Sequence, residues 1–114
     1  MLVVTHNEVS PDTVLVRLQG RLMLGEDTAQ LDSLVNTLLA SGYKRLVFDL
    51  TLLTHIDSTG IGRFIAIYNK VMATEGASLA MAAATGAVRS AFRVTKLDTV
   101  FQFFDTVEAA LASI

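Results

Sequence analysis

The run His55-Ile56-Asp57-Ser58-Thr59-Gly60-Ile61-Gly62 sets one carboxylate beside two hydroxyls. Just after it, Ile61, Phe64, Ile65, Tyr68 and Met72 recur at the spacing of one helix face, so a helix should begin near Ser58. The first backbone N–H groups of a helix have no partner within it, and the helix dipole favours negative charge there. A phosphate can be held at such a place with little strain. The residue types and their position therefore suit a phosphorylation switch. Asp57 and Ser58 also suit plain helix capping, and one exposed hydroxyl can serve both ends.

Other chemistries fit less well. A Ser-His-Asp relay drawn from Ser58, His55 and Asp57 would crowd all its members into adjacent positions. The base of such a relay must bridge nucleophile and orienter, so no hydrolase is expected. His6 and His55 are isolated, no third ligand stands at metal spacing, and no metal or other cofactor is expected. Gly60 and Gly62 are too close together, and lack the preceding glycine, for a dinucleotide fingerprint or a P-loop. Each costs roughly 1 kcal/mol against alanine inside a helix. Close approach of a partner or of the neighbouring strand would explain them, as would helix–sheet packing. Arg89 and Arg93 are four apart and share a helix face, where they and Arg63 could meet an acidic partner or simply face water. Asp49 could be solvated, cap a turn or help to place the Ser58 loop.

The elements that must position this site read as follows. Leu2 to Val9 is an edge strand, Ser10-Pro11-Asp12-Thr13 a turn, and Val14, Val16 and Leu18 alternate along a second strand. Gly20 to Asp27 is a connector. Leu31, Leu34, Val35 and Leu38 mark an amphipathic helix that Asp27 or Thr28 caps and Gly42 ends. Leu46 to Leu50 is an almost unbroken apolar strand, as expected when both sheet faces are covered. The Ser58 helix fades at Glu75-Gly76, and Ser78 to Ala83 is an alanine-rich strand whose small side chains let helices pack closely. Gly86 precedes a third helix with Val88, Ala91, Phe92 and Thr95 on one side. Val100 to Phe104 is a short aromatic strand. Asp105 and Glu108 have capping-box spacing before a last helix with Val107, Leu111 and Ile114 on its apolar face. The order ββαβαβαβα predicts an α/β sandwich: a mixed, mostly parallel sheet of about five strands with about four helices.

Bulk properties narrow the class. The 114 residues suit a single domain spanning 1–114. Apolar residues make up 52% and charged residues 18%, enough for a sizeable core. A formal net charge of −2 gives no electrostatic footprint for nucleic acid. The absence of cysteine excludes disulfides, thiol catalysis and cysteine-bound zinc. The start Met1 to Asn7 lacks the basic and long apolar regions of a signal peptide, and no apolar run is long enough for a membrane span. A cytoplasmic location is the expectation.

The segment Asp57-Ser58-Thr59-Gly60-Ile61-Gly62 resembles the D-S-x-G-[LI]-G signature of STAS-domain anti-sigma factor antagonists. Leu18-Gln19-Gly20 resembles that family's strand-ending L-x-G, Arg45 to Leu50 its central strand, and Leu97-Asp98-Thr99-Val100-Phe101 its L-x-x-x-F segment. The likeness runs over nearly the whole chain. It implies a bacterial, non-enzymatic regulator of transcription that works by partner switching. It also implies that Ser58 is the phosphoacceptor, with Thr59 as runner-up. The unphosphorylated form would bind an anti-sigma factor carrying an ATP-dependent serine kinase domain and free the sigma factor. Phosphorylation would release that partner, and a serine phosphatase would reset the switch. The partner face would comprise Asp57, Ser58, Thr59, Gly60, Ile61, Gly62 and Arg63, with Arg21, Arg89 and Arg93. It would gather Ser58, the connector Arg21 to Asp27 and the start of the third helix near Arg89 at one end of the sandwich. The chain departs from the family at Arg21 and Met23, where acidic residues are usual, and its connector is long for the family. A STAS scaffold or transport-complex subunit without phosphorylation is the alternative, and a small-ligand or nucleotide sensor is a third.

Overall fold

The computed structural model describes residues 1–114. Strands β1 (Leu2–Ser10) and β2 (Thr13–Leu22) form an antiparallel hairpin. Helix α1 (Ala29–Ala40) leads to β3 (Arg45–Ile56), α2 (Ser58–Met72), β4 (Ser78–Ala82), α3 (Gly86–Val94), β5 (Phe103–Phe104) and α4 (Val107–Ser113). The sheet runs β1-β2-β3-β4-β5, and every pairing after the hairpin is parallel. This is the mixed five-stranded sheet with four helices, in the order ββαβαβαβα, that the periodicities predict. No helix is long and apolar enough to cross a membrane.

Alternation along the strands divides the apolar residues between two layers. Val14, Val16, Leu18, Leu46, Phe48 and Leu50 pack with Leu31 and Val35 of α1, Phe64 and Ile67 of α2, and Val88 and Phe92 of α3. On the other face Leu15, Val47, Ala80 and Ala82 pack with Ala110 of α4. The alanines of β4 thus admit α4 closely, as their size suggests. Phe64, Phe92 and Phe101 meet edge to face, with centroids 5.5–6.3 Å apart, a geometry that adds to area burial.

Five boundaries differ from the sequence reading. β2 continues to Leu22 and β3 to Ile56, because Gln19, Gly20, Arg21 and Leu22 pair with Leu52, Leu53, His55 and Ile56 across two register breaks. The polar residues Thr51, Thr54 and His55 hide this extension, since they lie on exposed positions of a strand that has left the covered part of the sheet. β5 shrinks to two residues; Leu97–Thr99 forms a 3₁₀ turn and Phe101 enters the core before the strand begins. α2 ends at Met72 rather than near Glu75. Thr106, not Asp105, caps α4, accepting from the Ala109 N–H at 3.1 Å.

Candidate functional site

The β3 extension fixes where α2 starts. Ile56 is the last residue of β3 and Ser58 the first of α2, so Asp57 alone turns the chain. Its backbone is extended (φ −123°, ψ −169°), as a helix cap requires. One carboxylate oxygen accepts from Gly60 N–H at 3.1 Å, inside the first turn of α2. The other accepts from Leu24 N–H at 2.9 Å, in the connector between β2 and α1. The Leu24 bond first, then those within the helix turn, hold the Asp57 carboxyl below the ordinary carboxylate range.

Ser58 is exposed directly beside this carboxylate, and Thr59 is half-buried. Gly60 is buried: a Cβ there would fall 2.2 Å from the Leu22 carbonyl oxygen and 2.6 Å from Ile56 Cγ1. Of the readings open for this glycine, the neighbouring strand is the one that the geometry bears out. Gly62 is exposed, with nothing within 4 Å of a Cβ.

A groove of about 340 Å³ adjoins Ser58, lined by Asp57, Ile61, Gly62 and Ile65 on the α2 side and by Ala91, Val94 and Thr95 on the α3 side. Leu24 and Val94 are 81% and 80% exposed, and Ile65 is 41% exposed. A hydroxyl at a helix start is thus bordered by apolar surface that nothing in the chain covers. A smaller hollow near Tyr68, Met72 and Phe101 involves the opposite end of α2 and contains no carboxylate or cation.

The arginines divide. Arg63 turns towards α1, donating from Nε to Thr28 Oγ1 at 2.9 Å and from Nη1 to Asp32 Oδ2 at 2.6 Å. It ties two helices together rather than presenting its charge. Arg21 lies at the end of β2 and pairs with Glu26 at 3.2 Å. Arg89 stacks 4.2 Å above the Phe103 ring and does not line the groove; the C-terminal half of α3, not its start, approaches Ser58. Arg93 is exposed on that half. His55 has Thr54 Oγ1 as partner at 2.8 Å, and both Asp57 oxygens are taken by backbone N–H groups, so no Ser-His-Asp relay is assembled. Asp49 is bound within the sheet, by Arg17 at 3.0 Å and by Thr51, and does not place the Ser58 turn.

Sequence reasoning missed Leu24 and Val94. Val94 stands six residues after Val88, off the buried stripe of α3, and Leu24 ends the short apolar run Leu22-Met23-Leu24 before Gly25. Both signals are weak, because single exposed apolar residues are ordinary.

A family model described as STAS domain matches residues 5–110. An anti-sigma factor antagonist from Mycobacterium paratuberculosis superposes with a TM-score of 0.87 at 21% identity, covering 100% of this chain and 94% of that one. The Bacillus cell fate determinant SpoIIAA in its phosphorylated form gives 0.74 at 20% identity, over 97% and 98% of the two chains. A sulfate transporter family protein from Wolinella succinogenes gives 0.80 at 15% identity, over 94% and 88%.

Proposed function

The chain belongs to the STAS-domain family, and from that premise we propose that it is a phosphorylation-controlled protein-binding module of the anti-sigma factor antagonist kind. The observation that carries this reading is the exposed Ser58 hydroxyl at the first position of α2, beside the capping Asp57 and on the rim of an uncovered apolar groove. The likeness to an anti-sigma factor antagonist and to a determinant solved in phosphorylated form supports it.

The module is a substrate of phosphotransfer and not itself an enzyme. A partner anti-sigma factor with a serine kinase domain transfers the γ-phosphoryl group of ATP to Ser58 Oγ. The new O–P bond replaces the β–γ bridge, ADP leaves and the hydroxyl proton passes to the kinase. Unphosphorylated, the groove lined by Ile65 and Val94, together with the exposed Leu24 of the connector that is bonded to Asp57, docks the partner and so frees its sigma factor. Phosphorylation adds about −1.5 to −2 charges at neutral pH. The helix start tolerates that charge, so the fold persists, while an apolar docking surface acquires a group that must be desolvated. A serine phosphatase resets the switch by hydrolysis.

Incubation with the cognate kinase and ATP, followed by intact-mass and fragment analysis, tests the reading. One phosphate on Ser58 and loss of the complex are expected. Modification of Thr59 alone, or none by an active cognate kinase, would refute it. The likeness to a sulfate transporter family protein favours a second reading, a scaffold that uses the same groove without phosphorylation; partner binding with no phosphate acceptance would select it.

A further inference from the structure

We propose that the Asp57 carboxylate couples Ser58 to the connector, so that phosphorylation of Ser58 releases the segment Met23 to Asp27 and withdraws Leu24 from the docking face. The inference rests on the proposed role of Ser58 and adds a moving part to it. The connector is suspended between two buried anchors, Leu22 and Thr28. Between them, Leu24 N–H reaches across to Asp57 Oδ2 at 2.9 Å, while its side chain stays 81% exposed. Arg21 and the Met1 amine hold Glu26, each at 3.2 Å. Both are exposed-partner ion pairs of the weak kind. Gly25, at φ +93°, supplies a pivot that a residue with a Cβ rarely adopts.

Asp57 thus divides its two oxygens between the connector and the first turn of α2. A phosphate on the adjacent Ser58 is a stronger acceptor of the same helix-start N–H groups and carries the same sign of charge. Two anions cannot both occupy that site without loss. The carboxylate gives way, and Leu24 N–H, which belongs to the connector and donates to Asp57 Oδ2, loses its acceptor. The switch then acts twice: by placing charge on the groove's rim and by freeing the connector that carries the exposed Leu24.

Amide hydrogen exchange on the full chain, with phosphoserine installed at position 58 during translation, measures this without any kinase. The Leu24 amide should exchange at least about tenfold faster than in the unmodified chain, as for a local opening, with the amides of Leu46 to Leu50 unchanged. Asp57→Asn, which keeps one acceptor oxygen instead of two, should speed Leu24 exchange in the absence of phosphate. Unchanged Leu24 exchange in the phosphoserine chain, or in Asp57→Asn, would overturn the coupling. So would an acceleration shared by the β3 amides, which reports general loosening. Failure of a kinase to modify Ser58 would strike the proposed function and leave this measurement standing.

Discussion

The α-carbon of Gly60 lies so close to the Leu22 carbonyl that a Cβ added to it would stand 2.2 Å from that oxygen. The first turn of α2 is seated directly on the end of β2, and the glycine makes the seat possible. The obstacle is backbone, so no side-chain rearrangement relieves it. Gly60→Ala should destabilise the domain by about 3 kcal/mol, the upper range for overpacking. Gly62→Ala, facing open space in the same helix, should instead stabilise it by up to about 1 kcal/mol. Chemical denaturation of the two variants checks the pair; equal effects would show that the Leu22 contact does not govern the site.

Asp57 sets an acid limit on the site. Its folded-state carboxyl lies below the unfolded value of 3.8, because Leu24 and then Gly60 donate to its charged form. The unfolded chain therefore takes up the proton first, and the stabilisation is present above 3.8 and fades as pH falls through the lower folded value. Asp57→Asn should be less stable than the parent at about pH 7, and the gap should close as pH drops below 3.8. Denaturation midpoints of both chains across that window test this; a gap independent of pH would assign the cost to geometry rather than charge.

Arg63, Thr28 and Asp32 tie α1 to α2 close behind the Ser58 turn. Asp32 Oδ1 is buried without a hydrogen-bond partner, so Arg63 is what compensates this carboxylate. Arg63→Ala should cost about 1–3 kcal/mol, since it strands a partly buried charge. Adding Asp32→Ala should recover part of that loss. Strictly additive effects in the double-mutant cycle would contradict a coupled pair. The rate of Ser58 phosphorylation should change little in the folded variant, because the guanidinium is engaged by Thr28 and Asp32.

Much of this was legible from residue spacing. Ile61 and Phe64 mark the buried face of α2, though Ile65 and Met72, read onto the same face, are exposed and Ile67 and Val71 are buried in their place; Asp57 before Ser58 marks its cap. The unbroken run Leu46 to Leu50 shows the part of β3 covered on both faces. The strand's far half was not legible, because a bulge near Thr51 breaks the alternation and only backbone pairing with Gln19 to Leu22 keeps it extended. For the same reason Arg21 read as loop although it ends a strand. Side-chain destinations were the other gap. Arg63 and Arg89 look equally free in a helical projection, yet one finds Asp32 and the other Phe103. Tertiary partners from distant sequence decide such cases, and spacing carries no record of them.

Ser58→Asp should weaken docking without unfolding the chain. A carboxylate there meets the favourable end of the α2 dipole, so stability should change by less than about 1 kcal/mol. The substitution carries less charge than a phosphate, and a partial effect on affinity is expected. Calorimetry against the kinase partner gives the reading; unchanged affinity in the folded variant would rule out a charge-based switch.

Val94 offers the cleanest separation of docking from folding. It is the last residue of α3, is 80% exposed, and borders the groove that Ser58 and Ile65 also line. Its removal uncovers nothing in the core, so Val94→Ser should shift stability by no more than about 0.5 kcal/mol. Burying a valine side chain at an interface contributes roughly 1.5 kcal/mol or more, so the variant should bind the kinase partner about tenfold more weakly. The loss should fall mainly on dissociation, as for an apolar contact inside an interface. Arg93, its neighbour in sequence, is exposed but does not line the groove, so Arg93→Glu should alter chiefly the association rate and its salt dependence. Arg89→Glu should act differently again, loosening α3 from Phe103 and lowering stability before it touches binding. Surface plasmon resonance at two salt concentrations, with melting curves for each variant, distinguishes the three. Parental binding by a folded Val94→Ser chain would place the partner elsewhere and remove the α3 side of the groove from the docking face.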